Sequence, residues 1–350
     1  MVRILLYQYT MFKALIWLWV CLGVVACSGA TGAGPDGALD GVPSDAAPTS
    51  IVIKTNVKLG SHPQLMDIYG AATPARVVVF LHGGGGNKET IAEQLGLRVV
   101  NGAAIATDTA WLTAHNVAFV FPQGQAHAGS NGFTWSNYVM TSDVDDVSFL
   151  NDLASAIRSG TLTPALAATA RVAVAGHSNG GMMANRMWCE APAAFDAFVA
   201  FAGPASEELT KPTHLCAPTV AKPYLGFVGA KDGVLQTTGN WLVDIWRINP
   251  ILANTPGFVN PAVMNELTFH STVRVKQKCN GTVAAPVETR NGATTEWHDC
   301  SDNIRLVRVN NAGHCVAKAA EGTSCPVSLE TGTGARPIDS INDFVTAVAR

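Results

Sequence analysis

Arg171-Val-Ala-Val-Ala-Gly176-His177-Ser178-Asn179-Gly180-Gly181 decides how the rest of the sequence is read. A short β-branched run leads into Gly-x-Ser-x-Gly, and Met182–Trp188 then continues with residues suited to a helix. A serine on a sharp strand-to-helix turn sits in a strained backbone conformation, so its neighbours must be small. The helix that begins beneath it favours developing negative charge. The five-residue pattern alone is a weak signal, and the strand before it and helix after it are what make it specific. Ser178 is therefore the candidate nucleophile, the other reading being a structural turn.

On either side of this turn, strand runs alternate with helix runs. Ile51–Val57 and Leu65–Tyr69 read as short edge strands. Arg76–Leu81, Asn116–Phe121 and Arg171–Ala175 are continuous apolar runs of the kind buried on both faces of a sheet. Phe195–Phe201, Tyr224–Val228 and Ile304–Val309 read as later strands. Val144, Val147, Leu150, Leu153 and Ile157 have helical spacing, and Ile338–Ala349 reads as a terminal helix. The pattern predicts an α/β fold with a mostly parallel central sheet and helices on both faces. We expect one catalytic domain over residues 51–350, with a poorly periodic insertion at about 233–278.

A second segment, Phe80-Leu-His82-Gly-Gly-Gly-Gly86-Asn87, also follows a strand run. A loop without side chains lets backbone N–H groups approach a ligand oxygen. With the N–H of Asn179 it can form an oxyanion hole, where one donor is worth about 3–4 kcal/mol in the transition state. The alternative is a flexible turn. A phosphate-binding P-loop is excluded, because no Gly-Lys-Ser/Thr follows. His82 itself reads as structural.

A third segment, Val309-Asn-Asn-Ala-Gly-His314-Cys315, places a histidine in a loop after the last strand, where a general base is needed. Of the nine histidines, His62, His82, His115, His127 and His177 precede the nucleophile, and His214, His270 and His298 lie in less suitable contexts. The acid should fall between nucleophile and base in chain order. Asp232, in a turn after the Tyr224–Val228 strand, fits, with Asp244, Asp299 and Asp302 as rivals. A carboxylate there would fix the imidazole tautomer and stabilise the imidazolium.

These segments resemble the secreted polyhydroxybutyrate depolymerase/feruloyl esterase family of the α/β-hydrolase superfamily. The matching pieces are Leu81-His-Gly-Gly-Gly-Gly-Asn87, Val144-Asp-Asp-Val147, Gly176-His-Ser-Asn-Gly-Gly-Met-Met183 and Gly313-His-Cys315, and the likeness runs from about residue 60 to the C-terminus. It implies an α/β-hydrolase fold and ester hydrolysis without a metal or other cofactor. It puts the nucleophile, acid and base on Ser178, Asp232 and His314, and the oxyanion donors on the N–H groups of Gly84 and Asn179. Cys315-Val-Ala317 stands where the family often has Trp-Pro after the histidine, and Val228-Gly229 stands where it often has His-Gly. The substrate class implied is an extracellular polyester, or feruloyl or acetyl esters of polysaccharide. An acyltransferase or peptidase on the same fold, and a non-catalytic polymer-binding lipoprotein, are the competing readings.

Trp135, Gly85 and His177 are candidates for the substrate wall, Trp135 being equally readable as core. Trp297 is ambiguous in the same way. Asp143, Asp145 and Asp146 open the Val144–Ile157 helix and read as capping residues, with a calcium site as the alternative.

The remaining features concern export. Lys13 precedes a short apolar run at 14–26, the pattern of a secretory signal over residues 1–26. Val24-Val-Ala-Cys27 resembles a lipobox, which implies acylation of Cys27 and, with Ser28 next, anchoring in the outer membrane. The alternative is a soluble secreted protein. Residues 27–50 are small and polar and read as a flexible tether. Cys189, Cys216, Cys279, Cys300, Cys315 and Cys325 form an even set that suits disulfides, with neighbour pairing closing the smallest loops and 15 pairings allowed in all. No clustered Cys/His spacing suggests a metal. The 350 residues are 48% hydrophobic and 14% charged with a net charge of −3, which excludes a disordered chain and argues against a nucleic-acid partner.

Overall fold

The computed structural model describes residues 50–350 apart from 102–103, 128–131, 164–165, 167–170, 221, 231, 237–244, 249, 255, 265–268, 270–286, 290–293, 300–302, 310–312, 315–337, 339–340, 343–344 and 347–350. From Ser50 the chain forms β1 (Ile51–Lys58), β2 (Leu65–Ala71), β3 (Arg76–Leu81), α1 (Lys88–Gln94), β4 (Arg98–Asn101), β5 (Ala104–Thr107), α2 (Thr109–His115) and β6 (Val117–Pro122). Next come β7 (Gln125–Ala126), β8 (Phe133–Thr134), α3 (Asp146–Arg158), β9 (Arg171–His177), α4 (Asn179–Glu190), β10 (Ala197–Phe201) and β11 (Tyr224–Gly229). The last part holds β12 (Leu235–Gln236), β13 (Ile245–Ile248), the single-turn α5 (Pro250–Ala253), β14 (Ala262–Met264), β15 (Val287–Thr289), β16 (Thr294–Asp299) and β17 (Ile304–Val309).

Ten strands make one sheet in the order β1-β2-β6-β3-β9-β10-β11-β17-β16-β15. The six central strands, β6 to β17, are parallel neighbours. The two flanks join through antiparallel pairings. The apolar runs explain this placement, since successive side chains point to opposite faces and both faces are covered. Val77, Val79 and Leu81 of β3 pack in a core with Phe149, Leu150 and Leu153 of α3 and Met183 and Met187 of α4. Val78 and Phe80 pack on the other side with Ile91 of α1, Leu112 of α2 and the C-terminal residues Ile338, Ile341 and Val345. Helices thus lie on both faces, as the alternation of runs predicts.

The register positions the site. Leu81 pairs with Gly176, His177 with Phe201, and Gly229 with Val309, so the carboxyl ends of β3, β9, β11 and β17 lie along one edge of the sheet. Open parallel sheets bind ligands at that edge.

Two features go beyond the sequence reading. The hairpin β15–β16 widens the sheet past β17, through a Thr294-Thr-Glu-Trp-His-Asp299 segment with no apolar run to announce it. The described part of the 233–278 insertion forms a separate antiparallel sheet, β12-β13-β14. It is stitched to the rest by bridges Met140–Phe258 and Ser206–Val263. Cys189 and Cys216 form a disulfide, with Cα atoms 4.7 Å apart, between the last turn of α4 and the loop before β11. The segments expected to be signal and tether, through residue 49 with Cys27 included, lie outside the described residues, as do Cys279, Cys300, Cys315 and Cys325.

Candidate active site

The turn after β9 is built by exclusion. Ser178 has φ 52° and ψ −117°, a conformation that costs a non-glycine residue on the order of 1–3 kcal/mol. It precedes α4 as its N-cap, yet its side chain makes no capping bond. A Cβ on Gly176 would lie 2.3 Å from the Gly180 carbonyl, and one on Gly180 would lie 2.4 Å from the Leu81 oxygen. The turn is anchored by Ser178 N–H donating to Phe201 O at 2.8 Å. The hydroxyl, released from capping, is free for other work.

It meets His314. Ser178 Oγ lies 2.8 Å from His314 Nε2, and His314 Nδ1 lies 2.7 Å from Asp232 Oδ2. A carboxylate only accepts, so Nδ1 carries the proton and Nε2 is the bare acceptor facing the hydroxyl. The Asp232 side chain is 3% exposed and that of His314 13%. Asp232 Oδ1 accepts the N–H groups of Val234 and Leu235, each at 2.9 Å, which holds the carboxylate still while Oδ2 serves the imidazole. The three side chains predicted from the sequence, 82 and 136 residues from His314, are brought into one hydrogen-bonded line.

The glycine-rich loop after β3 lies directly against this line. A Cβ on Gly83 would meet Ser178 Cβ at 3.4 Å, and one on Gly84 would meet Asn179 Cβ at 3.5 Å. The Gly83 carbonyl accepts His82 Nδ1–H at 2.7 Å and Gly86 N–H at 3.0 Å. In a trans peptide the next N–H points the opposite way, so holding this carbonyl aims the Gly84 N–H away from the His82 ring. Gly85 N–H donates to Phe133 O, whereas the Gly84 N–H has no backbone partner among the described residues. His82 is structural, as expected. Its Nε2 accepts Gly124 N–H at 3.0 Å, and burial pushes its pKa down to about 4, so it stays neutral. His177 lies beside His314 with ring centroids 5.2 Å apart, and burial, aided by the His314 ring, pushes it down to about 3.

The substrate wall differs from expectation. Gly85 and His177 line a cavity of about 530 Å³ that also contains Ser178 and His314. Trp135 does not. It is fully buried, with its indole against the His82 ring and Nε1–H donating to His82 O. Among the apolar side chains facing the cavity are Ile91, Met140, Met182, Val234, Ile248 and Phe258. They come from separate elements and share no sequence pattern, so no local signal could have found them. The strap from Gly132 to Ser142, which carries Trp135 and Met140, was equally silent apart from its tryptophan.

The three aspartates at the start of α3 have three different partners. Asp145 is the N-cap and accepts from Ser148 N–H, as the capping reading requires. Asp143 pairs with His127 at 2.7 Å. Asp146 is buried within the helix and accepts from Ser136 N–H, Ser142 Oγ–H and Gln64 Nε2–H, with burial raising its pKa. The rival acids Asp244 and Asp302 lie outside the described residues, as does the side chain of Trp297. Asp299 is in β16, paired with Ile304 near the start of β17 and so at the opposite end of the sheet from the site.

The eight strands β1-β2-β6-β3-β9-β10-β11-β17, with the strained serine turn after β9 and the acid and histidine after β11 and β17, decide the architecture. The chain has the α/β-hydrolase fold. No protein-family model matches the sequence, and no curated protein matches it either. Solved structures similar to this chain include three hydrolytic enzymes. An acetyl xylan esterase from Aspergillus awamori is 13% identical with a TM-score of 0.48, over 77% of this chain and 96% of that one. MGS-M1, an alpha/beta hydrolase from a Medee basin deep-sea metagenome library, is 10% identical with a TM-score of 0.47, over 85% and 98%. A Bacillus cereus carboxylesterase is 12% identical with a TM-score of 0.43, over 82% and 96%.

Proposed function

We propose that this protein is a serine carboxylic-ester hydrolase working through Ser178, His314 and Asp232. The reading is carried by one observation, the unbroken line Asp232–His314–Ser178 at 2.7 and 2.8 Å. His314 Nε2 takes the Ser178 proton as Oγ attacks the ester carbonyl carbon. The N–H groups of Gly84 and Asn179 receive the oxygen of the tetrahedral intermediate. As that intermediate collapses, the imidazolium, stabilised by Asp232, gives its proton to the departing alkoxide. Water, activated by the same imidazole, then hydrolyses the acyl-serine.

The apolar wall of Met140, Met182, Val234, Ile248 and Phe258 supports an uncharged acyl group. Together with the family resemblance, this favours polyester of the hydroxyalkanoate type, or feruloyl or acetyl esters of polysaccharide. Transfer to an alcohol, or peptide cleavage, would use the same residues, and product analysis with an alcohol acceptor and a peptide substrate separates them. The N-terminal sequence supports export and attachment to the outer membrane through Cys27, release as a soluble protein being the alternative. Radiolabelled palmitate carried by the wild type and absent from Cys27→Ser decides between them.

Ser178→Ala should lower hydrolysis of p-nitrophenyl butyrate by about 10⁴-fold or more while leaving the melting temperature in place. Near-wild-type turnover in that variant rejects Ser178 as the nucleophile, and a wild type that neither turns over the ester nor reacts with a fluorophosphonate rejects the proposal in favour of a non-catalytic binding protein.

A further inference from the structure

The two oxyanion donors of the proposed reaction belong to different loops, Gly84 after β3 and Asn179 after β9. Such donors act only if both lie about 2.7–3.1 Å from the place the oxyanion will occupy. The first loop contains four successive glycines, 83 to 86, and has no side chains with which to fix itself. The pairing of β3 with β9 fixes the roots of the two loops, and the bonds of Gly85 and Gly86 shape the first, but beyond the strand ends its spacing from the second loop needs a further tie.

Trp135 is placed to do this. Its indole Nε1–H donates to His82 O at 3.1 Å, holding the first loop at its root. Its backbone N–H donates to Asn179 Oδ1 at 2.7 Å, and its carbonyl accepts Asn179 Nδ2–H at 3.2 Å, holding the second loop. Trp135, His82 and Asn179 are at most 2% exposed, so these bonds do not compete with water. Asn137, two residues on, donates Nδ2–H to Asn179 O at 2.8 Å, and its Oδ1 accepts the N–H groups of Val139 and Met140. The strap is thereby clamped to the same residue twice.

We propose that Trp135 is a positioning residue that sets the distance between the Gly84 and Asn179 N–H groups. The inference rests on the esterase reading of the site. It assigns Trp135 a role in stabilising the transition state that does not involve touching the substrate. Binding of the planar ester depends on the apolar wall, whereas stabilising the tetrahedral oxygen depends on the donor spacing. Loss of the indole N–H should therefore act on kcat and spare KM.

The test replaces Trp135 with phenylalanine, and separately with benzothienylalanine, which keeps the shape of the indole and lacks its N–H. With p-nitrophenyl butyrate, kcat should fall about 10- to 100-fold with KM within about two-fold of wild type. Affinity for a trifluoromethyl ketone, whose serine adduct bears the oxyanion, should fall by the same factor as kcat. For the benzothienylalanine variant the fraction of molecules titrated by a fluorophosphonate should match the wild type, and the melting temperature should fall only by the few degrees that one unpaired buried carbonyl costs. Wild-type kcat and inhibitor affinity in that variant overturn the inference. A loss seen only as fewer titratable sites also overturns it, because that is the mark of a residue needed merely for folding. Absence of Ser178-dependent turnover in the wild type overturns the esterase reading and this inference together. Ser178-dependent turnover that is unchanged by either substitution overturns this inference alone.

Discussion

The serine turn and the strap lie side by side but are held in place by different means. The turn at 176–181 is kept in shape by volume: a Cβ on Gly176 or Gly180 would lie 2.3 or 2.4 Å from a backbone carbonyl, leaving no room for a side chain at either position. The strap is kept in shape by hydrogen bonds to residues 44 and 53 positions away, Asn179 and His82. Steric exclusion among near neighbours leaves a trace in the sequence, because only glycine satisfies it. Long-range hydrogen bonds leave none, because many polar or aromatic residues can make them and the partner is unknown until the chain folds.

The largest effect should come from the region held by volume. Gly180→Ala pushes a Cβ into the backbone oxygens of Leu81 and His82. It should cost about 4 kcal/mol of stability by urea unfolding and abolish turnover. An active, stable Gly180→Ala protein would mean that the turn adjusts and that exclusion is not what shapes it.

Next comes the residue where the two regions meet. Asn179→Ala leaves the buried N–H and carbonyl of Trp135 without their partner, at a cost of about 2 kcal/mol, while keeping the Asn179 backbone N–H. Stability should fall moderately, and kcat should fall with KM nearly constant. A rise in KM with kcat unchanged would place the side chain in substrate binding instead.

Per residue and per pH unit, the smallest effect comes from the imidazoles packed into each loop. His82 and His177 stay neutral in the fold down to pKa values of about 4 and 3, against an ordinary 6.5. Below about pH 6.5 the unfolded chain binds protons that the folded chain refuses, so stability falls as pH drops. The slope is at most about 1.4 kcal/mol per pH unit for each histidine. Urea midpoints measured between pH 7 and pH 5 should show this decline, and His177→Asn should make it shallower. An unchanged slope in that variant would mean that His177 is already hydrated in the folded state.

Much of the fold was legible because its determinants are local or periodic. Val77 to Leu81, Val172 to Ala175 and Ala197 to Phe201 are unbroken apolar runs, and each became a central strand with both faces covered. Asp145 before α3 capped it as its residue type suggests. β16 was not legible, since Thr, Glu, His and Asp make most of its length and its pairing with β17 is set by tertiary position. Trp135 is readable either as wall or as core, because a large aromatic in the strap beside the serine turn has no sequence mark distinguishing the two. Its full burial and the engaged indole N–H settle the matter.

Sequence alone determined the parallel α/β architecture and the serine turn, and narrowed the histidine and aspartate that could join it to a few candidates, because strand periodicity, glycine sterics and chain order are properties of the chain itself. Tertiary structure decided that His314 and Asp232 line up within 2.8 Å of their partners, that methionines and a phenylalanine from unrelated segments wall the cavity, and that a buried tryptophan links the two loops beside Ser178. Those outcomes depend on distances between residues far apart in the chain, and such distances exist only once the sheet has brought its strand ends to a common edge.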